Sequence, residues 1–299
     1  MQPTQGRLGT RRVRRITRDR IEAALALLDH KQPADTSIHG ARRELKRARA
    51  TLRLLRDALG ETAYKRENAA LRDAARPLGE VRDGRVLLDA LRSLVAACGA
   101  RASVLPLSGF QRLLSRRRTR VRRKVLGQPD PLRGARRRLR AVRNRVSRWP
   151  VGHHGWSVLG AGLTRTYANG RDAFELARVA PTDEHLHEWR KQTRYFWHQL
   201  QVFEPIWPRR IGKLAQDTHA LADCLGEDHD LAVLREQAAQ APDSFPNAAS
   251  QKALLALIQR CRVSLQRKAV QLGLRLYEEK PRSFAGHMEK HWHSWHRKA

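Results

Sequence analysis

The chain is short of acid, cysteine, aromatic rings and long apolar runs, and each shortage removes a class of protein. Its 299 residues hold 29 Asp and Glu against 60 Lys and Arg, a formal charge of +31. A compact chain with that imbalance repels itself unless anions neutralise it. The sign therefore argues for a polyanionic partner: nucleic acid, polyphosphate or an anionic membrane. Arg far outnumbers Lys, and its planar fork of donors grips phosphate oxygens in pairs. The three cysteines, Cys98, Cys224 and Cys261, form no C-x-x-C pair, which suits a reducing compartment and speaks against a disulfide framework or a Cys-based zinc module. No apolar run follows the basic start at 7–20, and no stretch approaches 18 apolar residues. No signal peptide or membrane span is expected, and a soluble cytoplasmic protein is the default. Aromatics make up only 6%, so no base-stacking platform is apparent. Hydrophobic content of 41% is still enough for a real core.

Alternating β-branched runs are absent too, and what remains is helical periodicity. Ile21, Leu25 and Leu28 continue a helix that begins near Arg14; Leu87, Leu88, Leu91, Leu94 and Val95 mark another. Segments 110–126, 132–146 and 253–276 read as long amphipathic helices with very basic outer faces, and Gly-Gln-Pro-Asp-Pro at 127–131 separates two of them. The fold class predicted is all-α.

One helix-sized stretch occurs twice. Aligned on His39 and His187, both copies read His, then Arg at +3, a base at +4 and another at +7: Arg42, Arg43 and Lys46 in the first, Arg190, Lys191 and Arg194 in the second. At about 100° per residue these positions form one stripe of a helix. Arg49 and Arg53 extend the first stripe; at +10 and +11 the second has Trp197 and His198, so the two walls differ. The other side is apolar in both, Leu45, Ala48, Leu52, Leu55 and Leu59 against Leu186, Trp189, Phe196, Leu200 and Phe203. The first helix is expected to run to about Leu59 and the second to about Phe203. A greasy back packs on the protein and a cationic front faces something strongly anionic. Leu78-Gly79-Glu80-Val81-Arg82-Asp83 follows His39 at nearly the distance at which Leu225-Gly226-Glu227-Asp228-His229-Asp230 follows His187. Each precedes an apolar helix, 86–94 and 231–234. Two matches at one offset imply two homologous halves, 8–148 and 156–299, joined near 149–155 and forming one unit over 1–299.

The pairing of His39-x-x-Arg42-Arg43-x-x-Lys46 with His187-x-x-Arg190-Lys191-x-x-Arg194 resembles the CHAD family, the conserved-histidine α-helical domain. So do the Leu-Gly-x-x-Arg/His-Asp segments at 78–83 and 225–230, and the stretch from Leu163-Thr164-Arg165-Thr166-Tyr167 to Pro181-Thr182-Asp183-Glu184. The resemblance spans nearly the whole chain. It implies two helical bundles related by a pseudo-twofold axis around a basic cavity, with inorganic polyphosphate bound there without catalysis. On that reading His39, Arg42, Arg43, Lys46, Arg49, Arg53, His187, Arg190, Lys191, Arg194 and His198 hold the polymer, with Asp83 and Asp230 orienting the basic side chains.

Polyphosphate has no bases and no chirality, so its binder needs closely spaced donors along a groove, as stacked helical turns of Arg and Lys supply. His39 and His187 each sit near a helix start, after Ser37 and after Thr182-Asp183. There a histidine can donate to phosphate, or bond the neighbouring acidic segment instead. In the tail, His287 and His291 are spaced i, i+4 like two metal ligands, but without H-E-x-x-H or a nearby carboxylate a packing or anion-facing tail is favoured. No metal or other cofactor is expected. Walker A, G-x-S-x-G and deaminase motifs are missing, as is the E-x-E-x-K run of the triphosphate-tunnel enzymes. A phosphoryl-transfer site would need carboxylates for Mg²⁺, which the basic stripes exclude, so no enzyme is expected. The rival reading is a nucleic-acid backbone binder using the basic arms at 111–126 and 133–148, although no helix-turn-helix or RNA-recognition signature is present. Weak nucleic-acid binding and a role among proteins on polyphosphate granules stay open.

Overall fold

The computed structural model describes residues 9–29, 33–99, 105–152 and 155–298. The first residues of the basic start, and the beginning and end of the two expected halves, lie partly outside these. Among the described residues there are eleven α-helices and no strand. They are α1 (Thr10–Leu27), α2 (Asp35–Leu54), α3 (Arg56–Leu59), α4 (Glu61–Cys98), α5 (Ser108–Leu126), α6 (Arg133–Val146), α7 (Trp156–Val179), α8 (Asp183–Phe203), α9 (Pro208–Ala239), α10 (Ala248–Leu276) and α11 (Pro281–Lys298).

The two basic stripes lie on α2 and α8. Thr182 caps α8 by accepting from the His185 amide at 3.2 Å, and Asp183 and Glu184 place negative charge in the first turn, where the helix dipole favours it. In α2 Asp35 has that place, and the N-cap, Ala34, has no side chain to offer. Ser37 therefore lies inside the first turn, not ahead of it, and His39 and His187 are each the fifth residue of a helix. The first copy does not run unbroken to Leu59. It stops at Leu54, Leu55 has non-helical torsions, and one further turn ends at Gly60, whose φ of 74° suits glycine alone at low cost. The second copy does reach Phe203.

The two Leu-Gly segments are continuous with the apolar helices that follow them. Each lies in the middle of a long rod, Gly79 in α4 and Gly226 in α9, with Pro77 tolerated inside α4. Periodicity missed this because the buried side of α4 changes partners along its length. Tyr64, Leu71, Leu78 and Val81 join the main core, whereas Leu87, Leu88, Leu91 and Leu94 join a second cluster with Phe110, Leu114, Leu234 and Ile258.

The main core runs without a break from Val13 in α1 to Trp292 in α11 and takes in the backs of both striped helices. Trp189, wholly buried, packs on Phe174 at 5.0 Å between rings, and Gln199 of α8 donates to the Ala50 carbonyl of α2 at 3.0 Å. α2 packs against α1, α4, α7 and α8, and α9 packs against α4, α8 and α10. Four helices, α2, α4, α8 and α9, thus enclose the middle of the molecule. Cys98 and Cys261, distant in sequence, bring free thiols to 3.6 Å of each other between α4 and α10; spacing along the chain cannot show such a pair. No described helix is long and apolar enough to cross a membrane.

Candidate anion-binding cavity

Where the four helices meet there is a cavity of about 410 Å³. α2 contributes Arg42, Lys46 and Arg49; α8 contributes His187, Arg190, Lys191, Arg194 and His198. α4 adds Arg82 and Asp83, and α9 adds His229 and Asp230, with Val86, Leu87, Tyr195 and Val233 completing the wall. The Leu-Gly segments explain how such large cations fit. A Cβ on Gly79 would lie 2.4 Å from Arg42 Nη1, and one on Gly226 would lie 3.0 Å from Arg194 Nη2. Glycine at these two points lets an arginine from the neighbouring helix lie against the backbone and reach the cavity.

Two further cavities adjoin this one. Arg82 and Val86 also line a space of about 450 Å³ with Asp35, His39, Arg43, Arg85 and Asp89. At the other end, His187, His229 and Val233 also line a space of about 600 Å³ with Asp183, Arg235 and Glu236. The shared lining residues set the three spaces in a row, with one mouth at His39 and another at His187.

A comparison with family models matches the CHAD domain to residues 11–239, a range that takes in both striped helices and both Leu-Gly segments. The chain belongs to the CHAD family. A comparison with curated proteins found no match. Among solved structures, PptA from Streptomyces chartreusis is similar with a TM-score of 0.62 and 17% identity, over 89% of this chain and 99% of that one. At that identity the likeness is one of fold.

In this CHAD protein the cavity cations crowd one another. Burial, then Arg194, Arg42, Arg82 and Arg190, push the Lys46 ammonium down to about 6. Burial and Arg194 push Arg190 down to about 10, and burial, followed by Arg82, lowers Arg42 and Arg194 as well. His198 and His229 fall to about 3, chiefly through burial. His39 and His187 are lowered as well, by burial and then by neighbouring cations. Arg42 Nε, Arg190 Nε and His198 Nδ1 are buried and have no hydrogen-bond partner. Buried polar groups are nearly always satisfied; Arg47 Nε, Trp149 Nε1, Trp189 Nε1 and Gln199 Oε1 are orphaned elsewhere, but the two arginine donors at the cavity are the ones an anion held there could satisfy.

Two carboxylates, Asp83 and Asp230, stand in this basic setting. Asp230 Oδ1 lies 3.9 Å from Arg190 Nη2, and Asp83 offsets the lowering of both Arg42 and Arg190. Burial raises the Asp230 carboxyl from its ordinary value, with Asp83 adding to the rise and the arginines opposing it.

Not every residue of the stripes reaches the centre. His39 and Arg43 line the mouth cavity instead. Arg53 lines neither; its guanidinium stacks 3.6 Å from the Tyr195 ring centroid and donates to the Arg49 carbonyl. Trp197 packs at a tilt against the His198 ring and does not line the cavity. Lys191 is tied to Glu188 one turn back. Reasoning from sequence left Arg82, His229 and Tyr195 out of the site. The first two occupy the same place in the Leu-Gly-x-x-Arg/His-Asp segments, directly before the aspartate, and that shared place was the available signal. In the tail a carboxylate is near after all: His287 pairs with Glu279 at 2.9 Å, whereas His291 stacks on Trp207. Among the described residues no group of three or more His, Cys, Asp or Glu is placed to hold a metal.

Proposed function

We propose that the cavity holds inorganic polyphosphate between α2 and α8 and does not cleave it. The observation that carries this reading is the pair of buried orphan donors, Arg42 Nε and Arg190 Nε, with the unpartnered His198 Nδ1 beside them, among cations that depress one another. Gathering like charge in a half-buried space costs stability, and a threaded polyanion returns it by accepting charge-assisted hydrogen bonds along its length. A duplex, whose major groove alone is about 12 Å wide, does not fit between packed helices. Asp83 and Asp230 face arginines, so they orient donors and leave no free carboxylate set for Mg²⁺.

The same positions of the two halves serve the same ends, which supports their common origin and a pseudo-twofold relation. Gly79 and Gly226 each admit cavity arginines, although Gly226 lies nearer Arg194 than Arg190, the counterpart of Arg42, and Asp35 and Asp183 each stand in the first turn of a striped helix. Wherever such polymer collects in granules, this protein would collect with it. Nucleic acid, the rival ligand, would be confined to the outer faces of α5 and α6.

Replacing Arg42 and Arg190 together by Glu tests the site. Each charge-assisted hydrogen bond lost costs about 1.5–3 kcal/mol, so the pair should weaken polyphosphate binding by at least about 100-fold. The fold should hold, because the double change relieves cation crowding and leaves the apolar backs untouched. Unchanged affinity in a folded double variant would place the ligand elsewhere.

A further inference from the structure

The two mouths of the passage differ in charge. At the His187 mouth, Asp183 pairs with Arg235 at 2.9 Å and Arg262 at 2.6 Å, while Arg262 also holds the buried Asp228 at 3.0 Å. Two acids there answer two arginines. At the His39 mouth, Asp35 receives Arg118 at 2.9 Å, Arg122, and Arg85 at 3.9 Å, and Asp89 also takes Arg85 at 3.4 Å, so two acids face three arginines. Positive charge is therefore in excess at that end. Arg118 and Arg122 come from α5, which crosses α4 so closely that a Cβ on Gly84 would lie 3.1 Å from Arg118 Cα. α5 contains no acidic residue. Arg112, Arg116, Arg120 and Arg123, spaced i, i+4, i+8 and i+11, form one outer stripe of it, are exposed, and make no ion pair among the described residues. On α10, which supplies Arg262 at the other mouth, the exposed basic residues are spread over a longer helix: Lys252, Arg260, Arg267, Lys268 and Arg275.

We propose that α5 is a second anion track, on which the part of a long polyphosphate chain that overhangs the cavity leaves through the His39 mouth and lies along Arg112, Arg116, Arg120 and Arg123. This rests on the cavity reading above. It gives the bound polymer a direction, short occupancy at the His187 end and a long overhang at the His39 end, and makes affinity grow with chain length beyond what the cavity can hold. Favouring polyphosphate over nucleic acid is the layout of α5: Arg118 and Arg122 face the mouth with Arg85, and the outer stripe lies on the other side of the same helix, so the ligand must turn round α5, which a thin single chain does more readily than a duplex.

The test is a variant carrying Arg112→Gln, Arg116→Gln, Arg120→Gln and Arg123→Gln, titrated with inorganic tripolyphosphate, long-chain polyphosphate and duplex DNA over a range of salt. All four side chains are exposed and Gln is a good helix former, so folding should be retained, as circular dichroism will verify. Tripolyphosphate affinity should stay within about twofold, since exposed charges this far from the cavity are screened. Long-chain affinity should drop at least about tenfold, and its salt dependence should lose about 3 units of slope, at roughly 0.7 per contact for a single-stranded polyanion. Restoring charge with Lys at the four positions should recover most of that slope. A long-chain affinity and slope equal to wild type would overturn the track, as would loss of DNA binding alone with polyphosphate unaffected. Failure of the wild type to bind tripolyphosphate or long chains at all would instead sink the cavity reading on which the track depends.

Discussion

Binding in the cavity should take up a proton, and Lys46 sets most of the amount. In the empty protein its ammonium is pushed down to about 6 by burial and by Arg194, Arg42, Arg82 and Arg190, with Arg49, His198, His229, Asp83 and Asp230 completing its surroundings. At pH 7.5 a group titrating near 6 is about 3% charged. One phosphate charge about 4 Å away contributes about 4 kcal/mol at an effective dielectric of about 20, equivalent to about 3 pKa units. That returns the ammonium to roughly 9, so binding at pH 7.5 should draw in close to one proton. Affinity should then fall about tenfold per pH unit from 6.5 to 8.5, the Wyman slope for one proton. Titration calorimetry in two phosphate-free buffers of unlike ionisation enthalpy gives the proton number directly. The lowered His39 and His187 add their own share toward pH 6, and Lys46→Met isolates the lysine part. The empty protein has a matching signature. Because the folded lysine is depressed, the unfolded chain binds more protons between about 6 and 10.5, so stability rises with pH across that window and is lost as pH falls back to 6. Lys46→Met should flatten this rise in denaturant titrations. A proton number and pH slope unchanged by Lys46→Met would refute the reasoning.

Other expectations follow from the same geometry. Gly79→Ala places a Cβ against Arg42 Nη1 and Gly226→Ala one against Arg194 Nη2; both should weaken polyphosphate binding measurably while thermal unfolding shifts little, because a flexible side-chain end gives way rather than backbone. Trp189→Ala empties a wholly buried position in the main core and should cost about 3–5 kcal/mol in denaturant unfolding, enough to obscure binding through loss of fold. No phosphate release from polyphosphate should be detected with or without Mg²⁺; steady release would make Asp83 and Asp230 catalytic candidates.

The all-α fold and the two striped helices were legible in the sequence because their signals are local. A cationic front and apolar back repeat every turn, and the histidine motifs repeat in register. The extent of α4 and α9 was not legible, since a rod that buries Leu71 and Leu78 in one core and Leu91 and Leu94 in another shows no single apolar stripe. Arg53 fits the stripe by angle yet lies one turn beyond the cavity, stacked on Tyr195; periodicity gives the side of a helix, not how far along it the cavity extends. Arg82 and His229 were overlooked because each stands beside an aspartate that drew notice first. The role of the two glycines depends on the approach of another helix, which no local pattern contains. The thiol pair of Cys98 and Cys261 is a tertiary contact of the same kind.

The measurement closest to the central claim is reciprocal displacement at physiological salt and matched phosphate concentration, with labelled long-chain polyphosphate, RNA and duplex DNA each bound first and each used as competitor. An enclosed passage screens its charges less than an open surface does. Polyphosphate should therefore displace both nucleic acids efficiently, resist displacement by them, and remain bound at salt that releases DNA. Retention of DNA or RNA against excess polyphosphate would contradict the account and move the function to the outer basic helices.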